Sequence, residues 1–324
     1  MAEEWLQVAP QLNGQINISS LAVYDNGGGE KLYGCTQTGG RLFEWNGSTD
    51  WVQVAPQLGN PNDGYIYALA VYDKGLGDQL YAGLDGGQLY RWNDVNAWVQ
   101  EAPGLAGRIL SLKVYDKGLG NRLYGGTHLG RLVEWNGIGA WVEVAPLPAF
   151  LVWIFCLEVY NGKIYGSGFQ GQLWEWNDVN AWVLAAPKLS DWSTIHSLAT
   201  YDDGNGEKLY GGTGTSVTIH DGALLQWDDD DEWVFVTPNG TPDFDLKALE
   251  VFKGRLYGGS ANSGLLLRWT TGDRWITKAT TLNGQGAINS LAVFNNKLYG
   301  GTAGGGRLFE YQFPLSQIIG PIII

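Results

Sequence analysis

The chain has 324 residues, of which 48 are glycine, 13% are aromatic and only 16% are charged, and its formal net charge is −13. That charge repels phosphate backbones and anionic lipid, which excludes nucleic acid and membrane surfaces as natural partners. Many short buried strands joined by tight turns suit this composition, and long amphipathic helices do not.

The opening stretch MAEEWLQVAP has no basic n-region and no apolar h-region, so no ordinary secretory signal is expected. No apolar run approaches the roughly 20 residues of a membrane span. The sequence therefore predicts a soluble product without membrane insertion, and leaves the extracellular surface or a virion open as its location. Trp5 begins a segment W-(V/L/I)-x-x-(A/T) that returns at Trp51, Trp98, Trp141, Trp182, Trp233 and Trp275, at spacings of 46, 47, 43, 41, 51 and 42 residues. A period of about 40 to 50 residues is the mark of a repeat architecture. The copies fill nearly the whole chain.

After the first such segment come ISSLAVY, KLYGCT and RLFEWN, separated by Gly, Asn or Asp turns, and then WVQVAP. Each copy thus predicts four short antiparallel strands. In the first strand Leu21, Leu69, Leu112, Leu157, Leu198, Leu249 and Leu291 align, each preceded by Ser, Ala or Cys. Apolar residues there occupy both parities, as in a strand buried on both faces, so it is assigned to the centre of a ring. The third strand carries a W-x5-W spacing at Trp45/Trp51, Trp92/Trp98, Trp135/Trp141, Trp176/Trp182, Trp227/Trp233 and Trp269/Trp275. One repeated spacing fixes one hairpin register, and the tryptophans are read as packing between blades.

In the last copy Tyr311 stands where Trp45 does and has no tryptophan after it, while Trp5 has no partner before it. The N-terminal segment therefore supplies the outer strand of the last blade and removes an exposed edge. The predicted fold is all-β: a seven-bladed β-propeller with four antiparallel strands per blade, a single domain over residues 1–313, followed by an apolar tail over 314–324. The same strand pairing between molecules would give a fibre, so self-assembly stays open.

The second strand carries a double glycine at Gly125/Gly126, Gly211/Gly212, Gly258/Gly259 and Gly300/Gly301, followed by two spaced aromatics. In this the repeat resembles the Kelch-like group of propellers and, more loosely, lectin-type propellers. Gly34/Cys35, Ala82/Gly83 and Gly166/Ser167 depart from the pair. The resemblance implies a propeller that binds a partner.

No motif for catalysis, metal or cofactor is read in the chain: there is no S-x-D-x-G-x-x-W box, no P-loop and no H-E-x-x-H. Glu44, Glu134, Glu175 and Glu310 share a column with Arg91, Gln226 and Arg268, which is read as a half-exposed polar edge. The Y-D-x-G-x-G loops at Asp25, Asp73, Asp116 and Asp202 are read as glycine-rich turns and not as calcium sites, and Asp228 to Asp231 as a solvated charge run. Cys35 and Cys156 fall in different copies, too far apart for a disulfide.

Blade-to-blade divergence marks where function is grafted on a repeat. Two loop sets diverge and should open on one face. They supply Tyr65, Tyr67, Asp85, His128, Trp153, Phe169, Trp192, His196, His220 and Phe244 as candidate ligand-binding residues. Aromatics with scattered polar groups suit a glycan or a protein partner. In the tail, Ile318, Ile319, Ile322, Ile323 and Ile324 are candidates for docking to a partner. The expected function is a non-enzymatic recognition module, carbohydrate-binding and lectin-like, with a structural or attachment subunit of a filament, virion or surface assembly as the alternative.

Overall fold

The tryptophan spacing is realised as strand register. In the computed structural model, Trp45 lies opposite Trp51 across the hairpin of the third and fourth strands, and the pairs Trp92/Trp98, Trp176/Trp182, Trp227/Trp233 and Trp269/Trp275 do the same. The structure describes residues 4–12, 17–58, 64–105, 107–146, 153–189, 193–214, 222–237, 245–261, 263–270, 274–279 and 286–312. These form seven four-stranded antiparallel sheets. Here the strands of a blade are lettered a to d from the centre outwards; in blade 1 they are Ile18–Asp25, Glu30–Thr36, Leu42–Trp45 and Trp51–Ala55. The a strands touch in sequence, and the last meets the first, which closes the ring. The only helical turn among the described residues is Phe169–Gly171.

Blades 1 to 6 are each continuous in sequence, and blade 7 is not. Its strands are Ala287–Phe294, Lys297–Ala303, Leu308–Gln312 and, from the start of the chain, Glu4–Ala9. Trp5 lies opposite Tyr311. The predicted closure is therefore made within one chain.

Blades are wedged apart by aromatics. The c-strand tryptophan of each of blades 1 to 6 inserts between two aromatics of the preceding blade: Trp92 against Tyr24 and Tyr33, Trp135 against Tyr72 and Tyr81, Trp176 against Tyr115 and Tyr124. Trp227, Trp269 and Trp45 repeat the arrangement. Ring centroids lie 4.9 to 6.3 Å apart in tilted or edge geometry, the favoured range for aromatic pairs.

The b-strand glycines, paired or single, make room for close packing within and between blades. A Cβ on Gly34, Gly166 or Gly258 would meet the blade's own d-strand tryptophan or a neighbouring leucine at 2.9 Å. A Cβ on Gly126 or Gly259 would meet the next blade's Ile154 or Ile288 at 2.6 or 2.7 Å. These glycines sit in ordinary strand conformation, so close approach and not backbone freedom selects them.

The glutamate column corrects one expectation. Glu44, Glu134, Glu175 and Glu310 are not a half-exposed edge. Each accepts a hydrogen bond from a b-strand tyrosine hydroxyl, from Tyr33, Tyr124, Tyr165 and Tyr299 at 3.2, 2.8, 2.7 and 2.9 Å. Lys31, Lys117 and Lys297 pair with three of them. A buried tyrosine hydroxyl needs an acceptor, and the adjacent strand supplies it. The Asp25, Asp73, Asp116 and Asp202 carboxylates accept backbone N–H groups of their own loops, the geometry of an Asx turn. In the charge run, Asp229 is not merely solvated: it accepts from Tyr160 of the preceding blade at 2.7 Å and pairs with Lys208. Cys35 and Cys156 are both free thiols.

Candidate ligand-binding face

The two divergent loop sets meet on one face, as their topology requires. The connections entering blades 2, 3, 5 and 6 are hydrogen-bonded to b–c loops: Asp85 N–H to Tyr65 O at 3.0 Å, His128 N–H to Arg108 O at 3.1 Å, Leu189 N–H to Gln170 O at 3.0 Å and Ala261 N–H to Asp245 O at 2.7 Å. This face surrounds the mouth of the central channel.

On blades 2 and 3 the face carries a polar cluster. The Asp85 carboxylate receives the Tyr67 hydroxyl at 3.1 Å and the Arg108 guanidinium at 2.5 Å, and that guanidinium lies 6.0 Å from the Tyr67 ring. Nδ1 of His128 accepts the Arg108 backbone N–H at 2.8 Å. Burial, with the Arg108 charge, holds the His128 imidazole below its ordinary pKa and so neutral.

Blades 4 and 5 continue it as an aromatic chain. Trp153 meets His128 at 6.3 Å and Phe155 at 5.4 Å, and Phe155 meets His196 at 5.3 Å. His196 Nε2 lies 3.0 Å from the Lys247 ammonium. Burial, reinforced by Lys247, pushes His196 down to about 3, and burial also lowers Lys247. Trp153 and Phe169 are 41% and 44% exposed, whereas the wedge residue Trp135 is 0% exposed. The two flank one backbone pairing, since Ile154 after Trp153 lies opposite Gly168 before Phe169.

Of the sequence candidates, Tyr65, Tyr67, Asp85, His128, Trp153, Phe169 and His196 thus lie on this face. Two of them are corrected in kind: Tyr67 and His196 stand on a strands and not in loops, and His196 is half-buried at the channel mouth. Trp192, His220 and Phe244 lie outside the described residues, as do Ile318, Ile319, Ile322, Ile323 and Ile324.

The channel itself holds groups the sequence reading passed over. Below the mouth, a cavity of about 240 Å³ is walled by the aligned leucines together with Tyr67, Phe155 and His196. One residue further along the a strands, blades 1, 2, 5 and 7 carry Ala22, Ala70, Ala199 and Ala292, but blades 3, 4 and 6 carry Lys113, Glu158 and Glu250. These three line a second cavity of about 340 Å³. Lys113 and Glu158 form an ion pair at 2.5 Å. Burial, with the Glu158 charge adding, raises Glu250 to about 7. A charged residue in a column of alanines was a readable signal.

Among the described residues no three His, Cys, Asp or Glu side chains converge as metal ligands, and no helix is long and apolar enough to cross a membrane. No protein-family model matches the sequence, and no curated protein matches it. Solved structures match the fold over nearly the whole chain. A virginiamycin B lyase from Staphylococcus aureus is 11% identical with a TM-score of 0.75, covering 96% of this chain and 99% of that one. The WD40 β-propeller domain of Doa1 is 12% identical with a TM-score of 0.69, over 97% and 99% of the two chains. YCF48, solved bound to D1 peptide, is 14% identical with a TM-score of 0.66, over 96% and 97%. This chain shares with them the propeller fold. At such identities the likeness says nothing of activity, and it does not single out a Kelch-like or lectin-type repeat.

Proposed function

We propose that the chain is a non-enzymatic recognition propeller that binds a carbohydrate on the face formed by the b–c loops. The observation that carries this reading is the exposed pair Trp153 and Phe169, continuous with the polar cluster of Tyr67, Asp85 and Arg108. Flat aromatic faces stack on the C–H surface of a sugar ring, and a fixed carboxylate–guanidinium pair offers acceptors and donors to its hydroxyls. The same groups favour binding over turnover. Asp85 is committed to two partners, His128 spends its Nδ1 on a backbone amide, and His196 is half-buried and neutral.

A glycan array probed with the full chain and with Trp153→Ala tests this. Binding to at least one glycan, weakened at least tenfold by the substitution, is the expected result. No glycan bound, or binding indifferent to Trp153→Ala, refutes it. A peptide ligand at the same mouth is the second reading, favoured by the structurally similar YCF48 with its D1 peptide.

A further inference from the structure

The opposite face of the ring, formed by the a–b loops and c–d turns, has an apolar sector. Leu76 and Leu119 tip the a–b loops of blades 2 and 3, and Val95, Ile138 and Val179 tip the c–d turns of blades 2, 3 and 4. They are 77%, 70%, 71%, 82% and 70% exposed, the highest values among the large apolar side chains of the described residues. In blades 1 and 5 the corresponding segments read Asp25 to Glu30, Asn46 to Asp50, Asp202 to Glu207 and Asp228 to Glu232, without an aliphatic residue.

The tips belong to neighbouring loops. A Cβ on Gly137, beside Ile138, would lie 3.1 Å from Lys74 Cβ in the loop of Leu76. Tyr72 of blade 2 donates to Asn121 O at the end of the Leu119 loop, and Tyr115 of blade 3 donates to Asp178 beside Val179. Hydrogen bonds thus hold three successive blades in register beneath a set of aliphatic side chains that stand in water. Isolated exposed aliphatics are ordinary, but clustered ones mark a docking surface.

We propose that this sector seats the chain's own C-terminal segment, residues 313–324. Strand c of blade 7 ends at Gln312 opposite Glu4, the place where the other blades make their c–d turn, so the segment starts from this same face. Its sequence FPLSQIIGPIII has five isoleucines and no charged side chain. Water is a poor solvent for it, and the acidic sector at Asp228 to Asp231 offers it nothing. Length allows the docking. Twelve residues span at most about 40 Å when extended, against a radius of gyration of about 20 Å for a folded chain of this size. The segment crosses the face from blade 7 to blades 2 and 3.

Paired cysteines test the placement in the full chain. Under mild oxidation, Ile319→Cys with Ile138→Cys should form an intrachain disulfide at least tenfold faster than Ile319→Cys with Asn205→Cys, which sits exposed on the acidic sector of the same face. Intact mass and a non-reducing gel read the product. Equal rates overturn the proposal, and so does a disulfide-linked dimer, which would assign the sector to a second copy. As an independent readout, Leu119→Asp with Ile138→Asp should speed thermolysin cleavage within 314–324 at least tenfold while leaving the urea midpoint of the ring unchanged. An unchanged cleavage rate overturns it equally.

Discussion

The inter-blade wedges and the channel mouth are made of the same residue types and use them in opposite ways. In the wedges, Trp92, Trp135 and Trp176 are at most 2% exposed and each inserts between two tyrosines of the preceding blade. At the mouth, Trp153 keeps 41% of its surface in water and touches His128 and Phe155, which stand at positions that every other blade fills with a different residue. Burial of the wedge aromatic stabilises the ring, so six of the seven copies converge on tryptophan and the seventh on Tyr311; the mouth is left to vary. In a repeat protein, an aromatic that recurs is structural, and an aromatic that occurs once is a candidate for recognition.

The comparison breaks first at the wedge. Trp135→Ala removes a fully buried indole that packs on Tyr72 and Tyr81, donates from Nε1 to Gly139 O at 3.1 Å and lies 5.5 Å from the Lys74 ammonium. Blade 3 would face a cavity that blade 2 cannot fill by shifting, because its strand pairing holds it. The expected loss is about 4 kcal/mol by urea denaturation. A loss below about 1 kcal/mol would mean that the repeated tryptophans do not determine the fold.

Legibility in the sequence followed the same line. The W-x5-W spacing, the doubled glycine and the unpaired Trp5 and Tyr311 were readable because a constraint repeated from blade to blade outweighs local noise. The glutamate column was misjudged because its tyrosine donors sit on the neighbouring b strand, ten or eleven residues earlier, and only the register brings Tyr33 to Glu44. At the mouth, the aromatic loops were legible as divergence, but the contact of His196 with Lys247, 51 residues apart, needed the ring to close. Lys113, Glu158 and Glu250 stand out from the alanines of their column, but only the closed ring shows that the three converge at the axis.

That convergence supplies the second test. Glu250 is raised to about 7 in the fold from an ordinary value of 4.5. The folded state therefore holds this proton more tightly than the unfolded chain, so its contribution favours folding at low pH and is lost as pH rises from 4.5 through about 7. His196, lowered to about 3 from 6.5, acts in the other sense: its contribution is present above 6.5 and is lost as pH falls toward 3. Glu250→Gln isolates the first effect. The substitution should be nearly neutral at pH 4.5 and stabilising by about 2 kcal/mol at pH 8, read as the difference between urea curves of the two proteins. A pH-independent difference would place Glu250 in ordinary solvent and not in the channel.

The smallest effect sharpens the comparison most. Trp153 is nearly half exposed and stacks only at its edges, so Trp153→Ala should cost about 1 kcal/mol or less. That is several times less than Trp135→Ala, although the same side chain is truncated. If Trp153→Ala instead destabilised the ring by as much as Trp135→Ala, the residue would be a wedge that happens to face the channel, and any loss of binding would report unfolding. If stability is kept and ligand binding is lost, the difference between the two tryptophans is one of function: the repeated one holds two blades together, and the single one is left free to meet a ligand.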